Sequence, residues 1–103
     1  EVDAGIGGAA ANSMAASLAR LAKLHQIFVV THLAQVAAVA DQQVAVSKEV
    51  VTRSGSEVTI ASASPVAGSH RADEIARMLS GRPDSAAARR HAKELLESSS
   101  ITP

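Results

Sequence analysis

Apolar residues recur at three- and four-residue spacing along residues 9–25, at Ala11, Met14, Leu18 and Leu21, while Arg20, Lys23 and His25 gather toward the end. That spacing predicts an amphipathic helix whose cations complement the C-terminal end of its dipole. Residues 27–31 then read Ile-Phe-Val-Val-Thr, a β-branched run without alternation, which predicts a short strand buried on both faces of a parallel sheet. Such a strand needs neighbours on each side. A loop, helix and strand in this order also needs an earlier strand from which the helix crosses over, so residue 1 is expected to be a cut inside a larger protein.

Residues 33–40 are alanine-rich and predict a helix of two turns ending near Asp41. From Gln43 the period becomes two. Val44 and Val46 share one side, Val58 and Ile60 share one side of a second run that turns polar at Ser62, and residues 52–56 form a polar, Gly-containing tip. This pattern predicts an antiparallel hairpin, with Pro65 and Gly68 expected to stop it. Ser69 is expected to cap a helix through about Leu79 with Ile75, Met78 and Leu79 inward, ended by Gly81 and Pro83. A final helix is expected from Asp84 or Ser85 to about Glu97, with Ser98, Ser99 and Ser100 frayed. The element order is mixed α/β.

Composition narrows the picture. A chain of 103 residues forms one small domain, and its 47% hydrophobic content is carried by Ala, Val and Leu, with Phe28 the single aromatic. An alanine-rich core offers little area per residue, so weak stability in isolation is expected. Ten basic and ten acidic residues cancel and no window is strongly basic, so any DNA contact is expected elsewhere. The chain has no cysteine, which fits a reducing compartment, and no apolar run approaches the roughly 18 residues a membrane span needs. A soluble, cytoplasmic protein is the expectation, with no membrane partner.

The candidate chemistry lies in two places. Residues 1–8, EVDAGIGG, suit a loop leaving the C-terminal edge of a parallel strand, where ligands of open α/β sheets sit and glycines let backbone approach a phosphate or a facing subunit. Glu1 at that edge could accept a proton from a water attacking a phosphoryl group, and Asp3 could bond amides of its own loop or reach across an interface. Thr31 and His32 end the predicted strand at the same edge, where the imidazole could donate a hydrogen bond to developing phosphate charge. Taken alone, GIGG reads more simply as a loop-to-helix turn, and Thr31-His32 reads equally as a capping pair. His25 and His70 suit solvated helix ends, His91 a solvated face beside Arg89, Arg90 and Lys93, and Met14 and Met78 core packing.

The combination is more specific than its parts. EVDAGIGG followed by a helix, then IFVVTHLAQVAAVAD, VSKEV, EIARMLSG and HAKELL, resembles the C-terminal end of the ATPase head of RecN-type DNA repair proteins, relatives of the structural-maintenance-of-chromosomes and ABC ATPases. The resemblance covers nearly the whole chain and implies part of a P-loop NTPase head, with a parallel core strand, an antiparallel hairpin and C-terminal helices. It implies that Glu1 ends the Walker B motif and activates the hydrolytic water, and that His32 senses the γ-phosphate, with Thr31 and Gln35 supporting the switch loop. Asp3, Ala4, Gly5, Ile6, Gly7 and Gly8 match the D-loop at a dimer interface. Ala34 stands where that family is expected to have proline.

The same resemblance implies ATP and Mg2+, held mainly by groups this chain lacks. These are the aspartate preceding Glu1, the Gly-Lys-Ser/Thr phosphate loop, the glutamine loop and the ABC signature. No metal ligand is assigned within the chain, and alone it is expected neither to bind nor to hydrolyse ATP appreciably. The implied partners are the N-terminal lobe of the same head, a second head in a homodimer, and DNA through the full-length protein at the nucleoid. One rival is a non-catalytic domain docking through the hairpin and last two helices. Another is a small Rossmann-like domain using GIGG for a pyrophosphate, which ranks last because Thr31-His32 stands where an acidic residue is required.

Overall fold

The computed structural model describes residues 8–81 and 84–101. Its elements run α1 (Ala9–Leu21), α2 (Ala34–Ala38), β1 (Gln43–Arg53), β2 (Ser56–Val66), α3 (Gly68–Ser80) and α4 (Ala86–Ile101). The first helix packs on α2 through alanines, with Ala11 and Ala15 buried and Met14 and Leu18 half-buried. It ends at Leu21 rather than His25, and residues 22–25 continue as turns in which the His25 N–H donates to the Leu21 carbonyl (3.0 Å). Leu21 and Leu24 are left exposed.

The two strands pair one-for-one, from Gln43 opposite Val66 to Arg53 opposite Ser56. Their tip is Ser54-Gly55, with φ of 53° and 79°, the two positive values that a tight type I′ hairpin turn requires. Pairing includes Pro65 and ends at Val66, between the two residues expected to stop it; Pro65 is tolerated because a two-stranded sheet has only edges, where a missing donor costs little. Alternation puts Val44, Val46 and Val50 on one face and Val51, Val58, Ile60 and Val66 on the other. The hairpin's main contact with the helices is between β2 and α3. The molecule is elongated, with a 53 Å long axis and a radius of gyration of 15.2 Å, against about 13 Å for a compact domain of this length.

The core lies among α2, α3 and α4. Ile75, Ala76 and Ala92 are fully buried, Ala34, Ala37, Ala38 and Ala88 nearly so, and Met78, Leu79, Leu95 and Leu96 flank them. The inward positions expected on α3 are therefore the observed ones. Its start is not. The N-cap is Ala67, extended and without a side-chain bond, and the Arg71 N–H already donates to the Ala67 carbonyl (3.3 Å), which puts Ser69 inside the first turn. Gly81, at φ 76°, closes α3 in the left-handed conformation expected of it, and Pro83 lies outside the described residues. Ser85 caps α4, its Oγ accepting from the Ala88 N–H (3.2 Å). The serine tail remains helical, with Ser98 and Ser99 hydroxyls donating to the carbonyls of Glu94 and Leu95, each at 2.9 Å.

The parallel core strand expected over residues 27–31 is absent from the described residues, whose sheet is the hairpin alone. Residues 26–31 have no strand pairing, and Phe28 is 89% and Val30 75% exposed. The physical reason is that a strand exists only through ladder bonds to neighbours, and among the described residues the hairpin strands pair with each other and not with this run. No helix among the described residues is long and apolar enough to cross a membrane.

Among the described residues Ile75 is the largest fully buried side chain, so Ile75→Ala is expected to cost about 2–5 kcal/mol, and Ser85→Ala about 1 kcal/mol through loss of the cap. Urea denaturation of the variants checks both. An Ile75→Ala effect within about 0.5 kcal/mol would contradict the core assigned here.

Candidate functional site

The segment from Thr31 to Ala40 is held at both ends by directed hydrogen bonds. At its start the Thr31 hydroxyl oxygen accepts from the Leu33 N–H (2.9 Å), a two-residue turn that places His32 at the exposed bend between them. The Leu33 carbonyl then accepts from the N–H groups of Val36 and Ala37, each at 3.1 Å, and opens α2. Gln35 lies half-buried on that helix, while Ala34, Val36, Ala37 and Ala38 are buried. The structure thus brings a hydroxyl, an imidazole and an amide to the start of one short helix, in the order Thr31, His32, Gln35.

At the far end stands Arg71, from the start of α3. Its Nη2 donates to the carbonyls of Ala37 (3.1 Å), Ala38 (3.4 Å) and Ala40 (2.7 Å), and its Nε to Gln43 Oε1 (3.1 Å). The Gln43 amide donates in turn to Met78 Sδ (3.8 Å). One guanidinium therefore ties α2, β1 and α3 together. Burial pushes its pKa below the ordinary value, and Asp41 acts in the opposite sense. Two concavities of about 390 and 420 Å³ flank Arg71, sharing Asp41 and Gly68 in their walls, and His32 lines neither.

Sequence reasoning did not single out Arg71. The signal was available, because Arg71, Ile75, Met78 and Leu79 fall on one face of α3 at spacings of four, three and one, and an arginine heading an apolar stripe must find acceptors. Gly8 is the N-cap of α1 at φ 59°, and its carbonyl accepts from Ala11 (3.1 Å) and Asn12 (3.3 Å). This is a loop-to-helix turn at the end of the predicted D-loop. Glu1, Asp3, Ala4, Gly5, Ile6 and Gly7 lie outside the described residues.

Among the described residues no group of three His, Asp or Glu side chains is placed to hold a metal ion. The sequence has no Gly-Lys-Ser/Thr phosphate loop, so the described side chains do not by themselves compose a nucleotide–magnesium site. What they offer is a pair of neighbouring polar groups, Thr31 and His32, at the start of α2.

Comparison with known proteins is consistent across organisms. The chain is 52% identical over 100 residues, 94% of its length, to the DNA repair protein RecN of Streptomyces coelicolor. It is 53% identical over 97 residues to that of Deinococcus radiodurans and 46% over 96 to that of Treponema pallidum, each over 93% of its length. The chain spans about 16% of the length of these relatives, and the part matched is their C-terminal segment. No protein-family profile matches it.

Thr31→Val, which keeps the shape and removes the acceptor, is expected to speed exchange of the Leu33 amide about tenfold while costing less than about 1.5 kcal/mol of stability. Hydrogen exchange read residue by residue checks this. Unchanged Leu33 protection would show that the turn is held by other bonds.

Proposed function

Because the chain is a homologue of the C-terminal segment of the DNA repair protein RecN, we propose that it forms the closing part of an ATPase head acting in DNA double-strand break repair and recombination. The observation that carries this reading is the apolar run at residues 27–31, exposed and without ladder partners, which leads directly into His32. In the intact protein this run pairs as a parallel strand with a sheet supplied by the N-terminal lobe, and covers Phe28 and Val30. His32 then reaches the edge where ligands of parallel sheets bind, and Glu1 reaches it from the neighbouring strand.

ATP is the substrate of this site. Glu1 takes a proton from the attacking water, and His32, held by the turn at Thr31 and by Gln35 on α2, donates a hydrogen bond to the terminal phosphate. Residues 3–8 meet a second head across the nucleotide, so that the active unit is a head-to-head dimer. Mg2+ is held chiefly by groups outside this chain. DNA is engaged through the full-length protein at the cytoplasmic nucleoid, in keeping with balanced charge of ten basic and ten acidic residues here.

In the intact protein Glu1→Gln is expected to retain ATP binding and head association while hydrolysis falls by about 10²-fold or more. Steady-state turnover alongside sedimentation of the nucleotide-bound form checks this, and undiminished hydrolysis would remove Glu1 from the role of base. His32→Ala is expected to lower kcat about 10- to 100-fold with the nucleotide Kd within about threefold. Loss of tight binding with normal turnover would contradict the role given to the imidazole.

A further inference from the structure

We propose that Arg71 is a positioning residue for His32, setting where the imidazole sits by anchoring the opposite end of α2. The inference rests on the reading of His32 as the group that meets the terminal phosphate.

The geometry begins with the helix itself. At five residues, α2 is about 7.5 Å long, and a helix this short does not hold its own shape in water. Its buried contacts are mostly alanines, which are small and non-directional, so they fix its depth in the core better than its axial position or twist. Directed bonds supply the rest, and they form an unbroken series. The Leu33 N–H donates to Thr31 Oγ1, the Ala37 N–H to the Leu33 carbonyl, Arg71 Nη2 to the Ala37 carbonyl, and Arg71 Nε to Gln43 Oε1. His32 lies inside the first link of that series, and Arg71 is the link that joins it to β1 and α3.

Of the carbonyls that Arg71 meets, that of Ala37 also accepts from the Ala40 N–H (3.2 Å), and a cation at this end of α2 complements the helix dipole. The Arg71 bonds to Ala37, Ala38 and Gln43 are partly withdrawn from water and so stronger than at an open surface, whereas that to Ala40 is exposed. Without the guanidinium, the carbonyls of Ala38 and Ala40 lose the Arg71 donor, that of Ala37 keeps the Ala40 N–H, and α2 loses its tie to β1 and α3, so its position is less closely held. A misplacement of about 1 Å at a reacting group costs up to about 100-fold in rate, whereas substrate affinity, shared among many contacts, changes little. Lysine replaces only part of the function. Its ammonium reaches carbonyls but lacks the second arm that engages Gln43.

The test is a double-mutant cycle on ATP hydrolysis by the intact protein, with Arg71→Met and His32→Ala singly and together. Arg71→Met is expected to lower kcat about tenfold with KM within about twofold, Arg71→Lys to fall between it and the parent, and the double variant to be no slower than His32→Ala alone. Amide exchange is expected to quicken at Val36 and Ala37 while the β1–β2 ladder stays protected. If Arg71→Met slows the His32→Ala background by the same factor as the parent, Arg71 acts on overall stability and the proposal is overturned while the role of His32 stands. Parent-like turnover in Arg71→Met beside a slow His32→Ala has the same meaning. Parent-like turnover in His32→Ala overturns the reading beneath, and the proposal with it. Should Arg71→Met fail to fold, Gln43→Ala removes the Nε acceptor, together with the weak bond to Met78 Sδ, and carries the same cycle, with the same non-additivity expected.

Discussion

Three helices meet at Ile75 because the residues that face it are alanines. Ala34, Ala37 and Ala38 on α2, Ala76 on α3, and Ala88 and Ala92 on α4 let the backbones approach closely, and a single large side chain fills the centre. The apolar area buried this way is small, at about 25 cal/mol per Å². Directed bonds therefore carry an unusual share of the specification, through the Ser85 cap, the left-handed Gly81 and above all the Arg71 guanidinium. The site depends on that arrangement, since α2 is both a wall of this core and the element that His32 precedes.

The rest of the chain is built to be covered. A hairpin with strands of 11 residues each has Val44, Val46 and Val50 exposed, and the run ahead of His32 exposes Phe28 and Val30. Apolar, β-branched segments without ladder partners expose backbone groups that a larger sheet would satisfy. The relatives it matches are longer, the chain spanning about 16% of their length. A small core and uncovered strand-forming residues are the two features on which the proposed place in a larger head rests.

Much of this was legible locally. The Ser54-Gly55 tip, the inward Ile75, Met78 and Leu79, and the ends at Gly81 and Ser85 each follow from residues within one turn of one another. The failures are of another kind. Ser69 loses the cap because Ala67 already accepts the first bond, and the serine tail stays helical because its hydroxyls bond back to Glu94 and Leu95. Residues 27–31 carry a strand's composition, but composition cannot provide a neighbour. Thr31 and His32 were readable as a pair, and Arg71 as an arginine heading an apolar stripe, whereas its acceptors were not, since they lie more than thirty positions away at Ala37, Ala38 and Ala40.

The most direct test of a chain that completes another's site is ATP hydrolysis measured before and after the remainder of a RecN-type head is added. The account predicts no hydrolysis and no nucleotide binding by the chain alone, and turnover once the N-terminal lobe is supplied. Nucleotide binding by the chain alone, or silence after addition of a lobe that is active when joined to its own C-terminal segment, would contradict it.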